Sequence, residues 1–72
     1  MFAVKHKEYG EGYAVCFGEK DGKSAIVIDF GEVKKTFLFP DDFADTLTAK
    51  DESIQRQIME ELNQKRQGKD TL

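Results

Sequence analysis

The amino-acid sequence predicts a mainly β chain, a small antiparallel barrel of four to five strands followed by a C-terminal α-helix. Three observations carry this. Short runs rich in β-branched and aromatic residues recur about every ten residues, each bounded by a glycine-bearing turn. The chain holds six phenylalanines and two tyrosines, and a sheet this small buries so many rings best by curling on itself. From Asp51 onward the apolar spacing changes from the alternation of a strand to the period of a helix.

Residues 2–6 alternate as a first strand, with Phe2 and Val4 on one face. In Tyr9-Gly10-Glu11-Gly12, two closely spaced glycines mark a tight turn or bulge that needs positive φ. Tyr13-Ala14-Val15-Cys16-Phe17 is a second strand. Strict alternation places the large Tyr13, Val15 and Phe17 on one face and the small Ala14 and Cys16 on the other. Gly18-Glu19-Lys20-Asp21-Gly22-Lys23 is polar and carries an Asp-Gly pair, a hairpin signal with a loop longer than the ideal. Ala25-Ile26-Val27-Ile28-Asp29-Phe30 is the clearest strand, Gly31-Glu32 turns the chain, and Lys34-Lys35-Thr36-Phe37-Leu38-Phe39 runs until Pro40 stops it.

Pro40-Asp41-Asp42-Phe43-Ala44 reads as a single helical turn, with proline at its first position and acids at its positive end. Thr46-Leu47-Thr48-Ala49 reads as a short closing strand, against the competing reading of a continuous helix from Pro40. Beyond it, Ile54, Ile58 and Leu62, with Met59 beside them, form one apolar stripe of a helix. Asp51 or Ser53 caps its start, Glu52–Arg56, Arg56–Glu60 and Glu61–Lys65 pair along its surface, and Gly68 ends it. The expected division is a barrel over 1–49, a helix over 50–67 packed on it, and a disordered tail over 68–72. Such a helix is marginal alone in water, so its stripe must rest on something. The barrel is the expected support; the alternative is a homodimer seam through Ile54, Ile58 and Leu62.

Seventy-two residues make one small domain. The single cysteine, Cys16, excludes an intramolecular disulfide, and a small chain without such staples reads as cytosolic. The first seven residues hold no apolar run fit for a signal peptide, and no stretch approaches the ~20 apolar residues of a membrane span. A cytoplasmic setting with no membrane partner is therefore expected. Net charge is −3: residues 1–46 carry six lysines against nine acids, and the remainder is balanced. Neither part is the basic surface that phosphate backbones select.

One run has a family look. Val4-Lys5-His6-Lys7-Glu8-Tyr9-Gly10-Glu11-Gly12, then Ile26-Val27-Ile28-Asp29-Phe30 and Val33-Lys34-Lys35, resembles the small SH3/Tudor-like domain at the C-terminus of bacterial DNA-repair helicases. The shared pattern is H-x-x-aromatic-G-x-G, a variable hairpin, and a strand ending in Phe before a Lys-Lys pair. The continuation Phe37-Leu38-Phe39-Pro40-Asp41-Asp42-Phe43 is similar to short, mostly uncharacterised bacterial modules with the same opening. The resemblance covers residues 4–43 and implies an SH3-like barrel. In the helicases it implies contact with RNA polymerase or nucleic acid; the acidic 41–45 segment departs from that pattern, so the partner does not carry over.

Chemistry-bearing residues are few. His6 is the only histidine, and with one cysteine and scattered acids it makes no zinc set. A Cys16–His6 pair would lack an orienting third group, so no catalysis, metal or cofactor is expected. His6 is expected instead to brace the turn at Gly10 by a hydrogen bond to backbone. Gly10-x-Gly12 lacks the third glycine and following helix of a dinucleotide fingerprint, which leaves it a structural turn. Most aromatic rings belong to the core, but Tyr9 and Tyr13 have hydroxyls that want water or a partner. Lys5, Lys7, Lys34 and Lys35 are placed to meet phosphates, or simply to solvate strands and discourage edge pairing. The sequence thus predicts a non-enzymatic interaction module. It would bind a protein partner through loops or a strand edge using Tyr9, Tyr13 and these lysines, with nucleic-acid binding as the alternative.

Overall fold

A computed structural model describes residues 1–70, with side chains through Gln64. The strands are β1 (Phe2–His6), β2 (Gly10–Lys20), β3 (Lys23–Asp29), β4 (Lys34–Leu38) and β5 (Leu47–Ala49), with a 3-10 turn at Asp41–Ala44 and helix α1 at Glu52–Asp70. One five-stranded sheet has the order β4-β3-β2-β1-β5, every pairing antiparallel. The first four strands form the expected meander, and β5 returns to lie beside β1.

Residues 47–49 take the strand reading because the 3-10 turn is closed behind them. Thr46 donates both its N–H and its hydroxyl to the carbonyl of Asp42, which ends the turn instead of propagating a helix. Pro40 stands just before the turn rather than inside it. The β2–β3 hairpin is tighter than the sequence suggests. Its strands run up to Lys20 and from Lys23, leaving only Asp21 and Gly22, both at positive φ as a type I′ turn requires.

The main correction concerns β2. Ala14 pairs with Ile28 while Cys16 pairs with Val27, so Val15 is an extra residue that breaks the alternation. Of the large residues, Tyr13 turns from the core and is 47% exposed while Ala14 is fully buried. Past the bulge Phe17 pairs with Ile26 and so returns to the core face, but at the end of the sheet, 54% exposed and against Phe39. Cys16, expected beside Ala14 on one face, is exposed. The reason is crowding. Ala14 lies between Phe2 and Ile28, and Gly12 lies opposite Val4, so bulky neighbours fill that face and only small residues fit between them.

The core consists of Val4, Ala14, Ile26, Ile28, Phe43, Leu47, Ala49, Ile58 and Leu62, with Phe2, Phe30, Phe37, Phe39 and Ile54 packed at its border. The helical stripe is therefore spent on the chain's own sheet and 3-10 turn. Asp51 caps α1, its Oδ1 accepting from the N–H groups of Ser53 (2.8 Å) and Ile54 (3.2 Å). Glu52–Arg56 and Arg56–Glu60, expected along the helix, do not pair: the ion pair found among the described residues joins Lys50 to Glu11, and Glu61–Lys65 lies outside the described side chains. Holding long exposed side chains together costs about as much entropy as the contact returns. Nor does Gly68 end the helix, which continues to Asp70; an internal glycine costs only about 1 kcal/mol against alanine. Residues 71–72 of the expected tail lie outside the described residues.

Candidate functional site

Where the chain leaves β1 it must turn within three residues before β2 begins. His6, only 6% exposed, organises this turn. Its Nδ1 accepts hydrogen bonds from the N–H groups of Glu8 (3.0 Å) and Tyr9 (3.3 Å), which places the ring proton on Nε2. Gly10 then adopts φ +79, a conformation that costs glycine little. Gly12 is needed for a different reason from the one its sequence context suggests. A Cβ there would lie 2.7 Å from the Phe30 ring and 2.8 Å from Ile28 Cγ2.

The glycine's bare surface lets Phe30 close onto the turn. Four rings gather there: His6 lies 4.7 Å from Tyr9, 5.1 Å from Phe37 and 6.0 Å from Phe30, and Tyr9 lies 5.3 Å from Phe30. In a flat sheet of this strand order, β1 and β4 would stand three spacings apart, about 14 Å. Their ring contact reflects a sheet curved toward its core face. Tyr9 is the exposed member, 45% accessible and packed from beneath. The Lys35 Nζ sits 4.9 Å from its ring centroid, a cation–π contact. Together they border a shallow groove of about 600 Å³ lined also by Glu19, Lys20, Thr36 and Phe37.

The other sequence-selected residues lie elsewhere. Tyr13 pairs with Ala3 and Asp29 and takes no part in the ring cluster. Lys5 lies opposite Glu11 on β1, beside the Lys50–Glu11 ion pair. There the Glu11 carboxyl is held below the usual carboxylate range, first by the hydrogen bond from Lys50 and then by the charges of Lys50 and Lys5. The exposed Lys7 donates its backbone N–H to Thr46. Lys34 sits on β4 opposite Asp29. The four lysines thus fall into separate places rather than one continuous stripe.

Sequence reasoning missed Phe30, Phe37 and Lys20 as neighbours of Tyr9. The one available signal was the alternation Lys35, Phe37 on β4, which puts those two on a common face. Cys16 and His6 share no hydrogen bond, and Cys16 pairs with Val27. Among the described residues no three His, Cys, Asp or Glu side chains cluster as a metal ion would need, and no helix is long and apolar enough to cross a membrane. No family model matches the chain, and no curated protein or solved structure matches it significantly.

Proposed function

We propose that this chain is a non-catalytic interaction module of SH3/Tudor-like architecture that holds a protein partner at the Tyr9 end of its sheet. The architecture is supported by the four-strand meander, by the 3-10 turn before β5, and by the return of β5 to β1. The contact between His6 on β1 and Phe37 on β4 is the curvature such a barrel needs.

One observation carries the functional reading. Tyr9 is an exposed aromatic ring packed against His6 and Phe30, with Lys35 against it and a groove alongside. Rigid tyrosines that lose little conformational entropy are favoured at protein interfaces, where the ring supplies contact area and the hydroxyl a hydrogen bond. Because fold alone does not dictate function, the test must act on this residue. Immobilised wild-type protein is expected to retain a reproducible partner from an extract of its own cells, identified by crosslinking and mass spectrometry. Tyr9→Ala is expected to lose that partner while melting like wild type. Equal recovery by both proteins would remove the assignment.

Nucleic acid is the alternative, supported by Lys35 beside an aromatic ring that a base can stack on, with Lys34 next to it along β4. The separation of Lys5 from these two weakens it. A mobility-shift assay at about 50 mM salt decides, since phosphate contacts are strongest there.

A further inference from the structure

An open sheet has two edges, and here they are not equivalent. On β5, Lys7 N–H donates to Thr46 and Lys50 N–H to Ala3, so Leu47 and Ala49 direct their backbone groups away from β1. Those groups are not available. The Ala49 N–H is taken by Gln55 Oε1 at 2.8 Å, and Leu47 and Ala49 are buried where the 3-10 turn and α1 pack against the strand.

On β4, Phe39 N–H donates to Ser24 and Phe30 N–H to Val33. Alternation from these bonds gives Lys35 and Phe37 to the ladder with β3 and turns Lys34, Thr36 and Leu38 outward. The Leu38 N–H is capped by Asp42 Oδ2 at 2.9 Å. Lys34 and Thr36 are exposed, and among the described residues no hydrogen bond covers that side of them. The open edge is therefore short and lies next to the Tyr9 groove, which Thr36 itself lines.

Its charge selects an occupant. Neither Lys34 nor Lys35 belongs to an ion pair among the described residues, and the groove is lined by Lys20 and Lys35 against a single acid, Glu19. A second copy is a poor fit, because an antiparallel β4–β4 pair centred on this stretch sets Lys35 against Lys35, and like charges directly opposite are destabilising. We infer that the Lys34–Thr36 edge accepts an extended, acidic segment of another protein as an added strand, its carboxylates meeting Lys35 and Lys20 on one face and Lys34 on the other. This rests on the interaction-module reading and names its partner chemistry. Main-chain bonds supply the attachment and the lysines the selection.

The probe is a fluorescein-labelled nine-residue peptide of alternating glutamate and valine, with a lysine–valine peptide as its counterpart. Thr36→Pro removes an N–H that β3 does not use, a change that edge strands tolerate. Wild-type protein is expected to bind the acidic peptide saturably in anisotropy titrations. Thr36→Pro should bind it about tenfold more weakly, the loss of roughly one net hydrogen bond at its upper range. Lys34→Glu with Lys35→Glu should exchange preference toward the basic peptide. In wild-type protein the Thr36 amide should exchange more slowly with solvent when peptide is bound, a readout that holds even where Thr36→Pro fails to fold. The proposal is overturned by no binding to folded wild-type protein, by equal binding to Thr36→Pro, or by unchanged Thr36 exchange. Single-stranded DNA competing for the lysines with Thr36 exchange unaltered would overturn it in favour of phosphate contacts. Failure here, with Tyr9-dependent capture intact, would leave the module reading standing and only the edge refuted.

Discussion

Two aromatic clusters divide the work of this small sheet. At the β1–β2 turn, His6, Tyr9, Phe30 and Phe37 mix an imidazole and a phenol with phenylalanines, and Lys35 lies on the outermost ring. The other is wholly phenylalanine: Phe2 against Phe43 (6.5 Å), Phe43 against Phe39 (5.7 Å), and Phe39 against Phe17 (4.9 Å). Each contains one buried ring, His6 or Phe43, and ends in an exposed one. The first ends in a tyrosine that water can hydrogen-bond; the second ends in Phe17, which has no such group. Position within the stack, rather than residue type, decides whether a ring stabilises the fold or presents a surface.

The widest separation should come from the most buried and the most exposed rings of the phenylalanine stack, Phe43 and Phe17. Phe43 is 2% exposed, at the junction of the 3-10 turn with the core. Phe43→Ala is expected to cost about 3–5 kcal/mol, enough to unfold much of the population of a small domain in a denaturant titration. His6→Ala follows. It removes the acceptor for the Glu8 and Tyr9 N–H groups and a buried ring, an expected loss of about 1–3 kcal/mol by thermal or chemical melting. It should also free Tyr9, read as a loss of ring-current shifts in its NMR spectrum.

Gly12→Ala tests whether the turn cluster depends on the close approach of Phe30. The added methyl should displace the ring and cost about 1–3 kcal/mol, with Tyr9 and His6 resonances moving as Phe30 shifts. Phe17→Ala, by contrast, should leave stability within about 0.5 kcal/mol, since its ring is already largely in water. A large loss there would mean that Phe17 supports the stack rather than capping it.

The smallest effect is electrostatic and belongs to neither cluster. Glu11 is exposed and its carboxyl lies below its usual range because of Lys50 and Lys5. The contribution is thus complete above the ordinary carboxylate range and is lost as pH falls through the depressed folded value. Lys50→Met should flatten that part of the acid limb in melts between pH 2 and 6. An unaltered acid limb would show the pair to be energetically silent.

Much of the fold was readable residue by residue. Asp21-Gly22 marked the hairpin, Asp51 the helix cap, and Ile54, Ile58 and Leu62 the buried stripe. Cys16 and Phe17 take the faces opposite to those that strict alternation assigns, because alternation assumes an unbroken ladder and the extra residue at Val15 is visible only against the paired strand. The site was legible in Tyr9, Lys35 and the turn-bracing His6, and not in their meeting or in Phe30 and Phe37. Phe30, Phe37 and Lys35 reach it from β3 and β4 across the curve of the sheet, a distance that no spacing in the chain encodes.

The sequence by itself determined the order and kind of the elements, the glycine that enters β2, the helix cap and the apolar stripe. Each depends on backbone preferences and periodicities of residues that are neighbours along the chain. Only the tertiary structure decided that Ala14 rather than Tyr13 faces inward, that β5 closes on β1, and that β4 keeps an uncovered edge beside Tyr9. Those outcomes depend on which side chains meet from separate strands, where volume and hydrogen-bond partners are settled together.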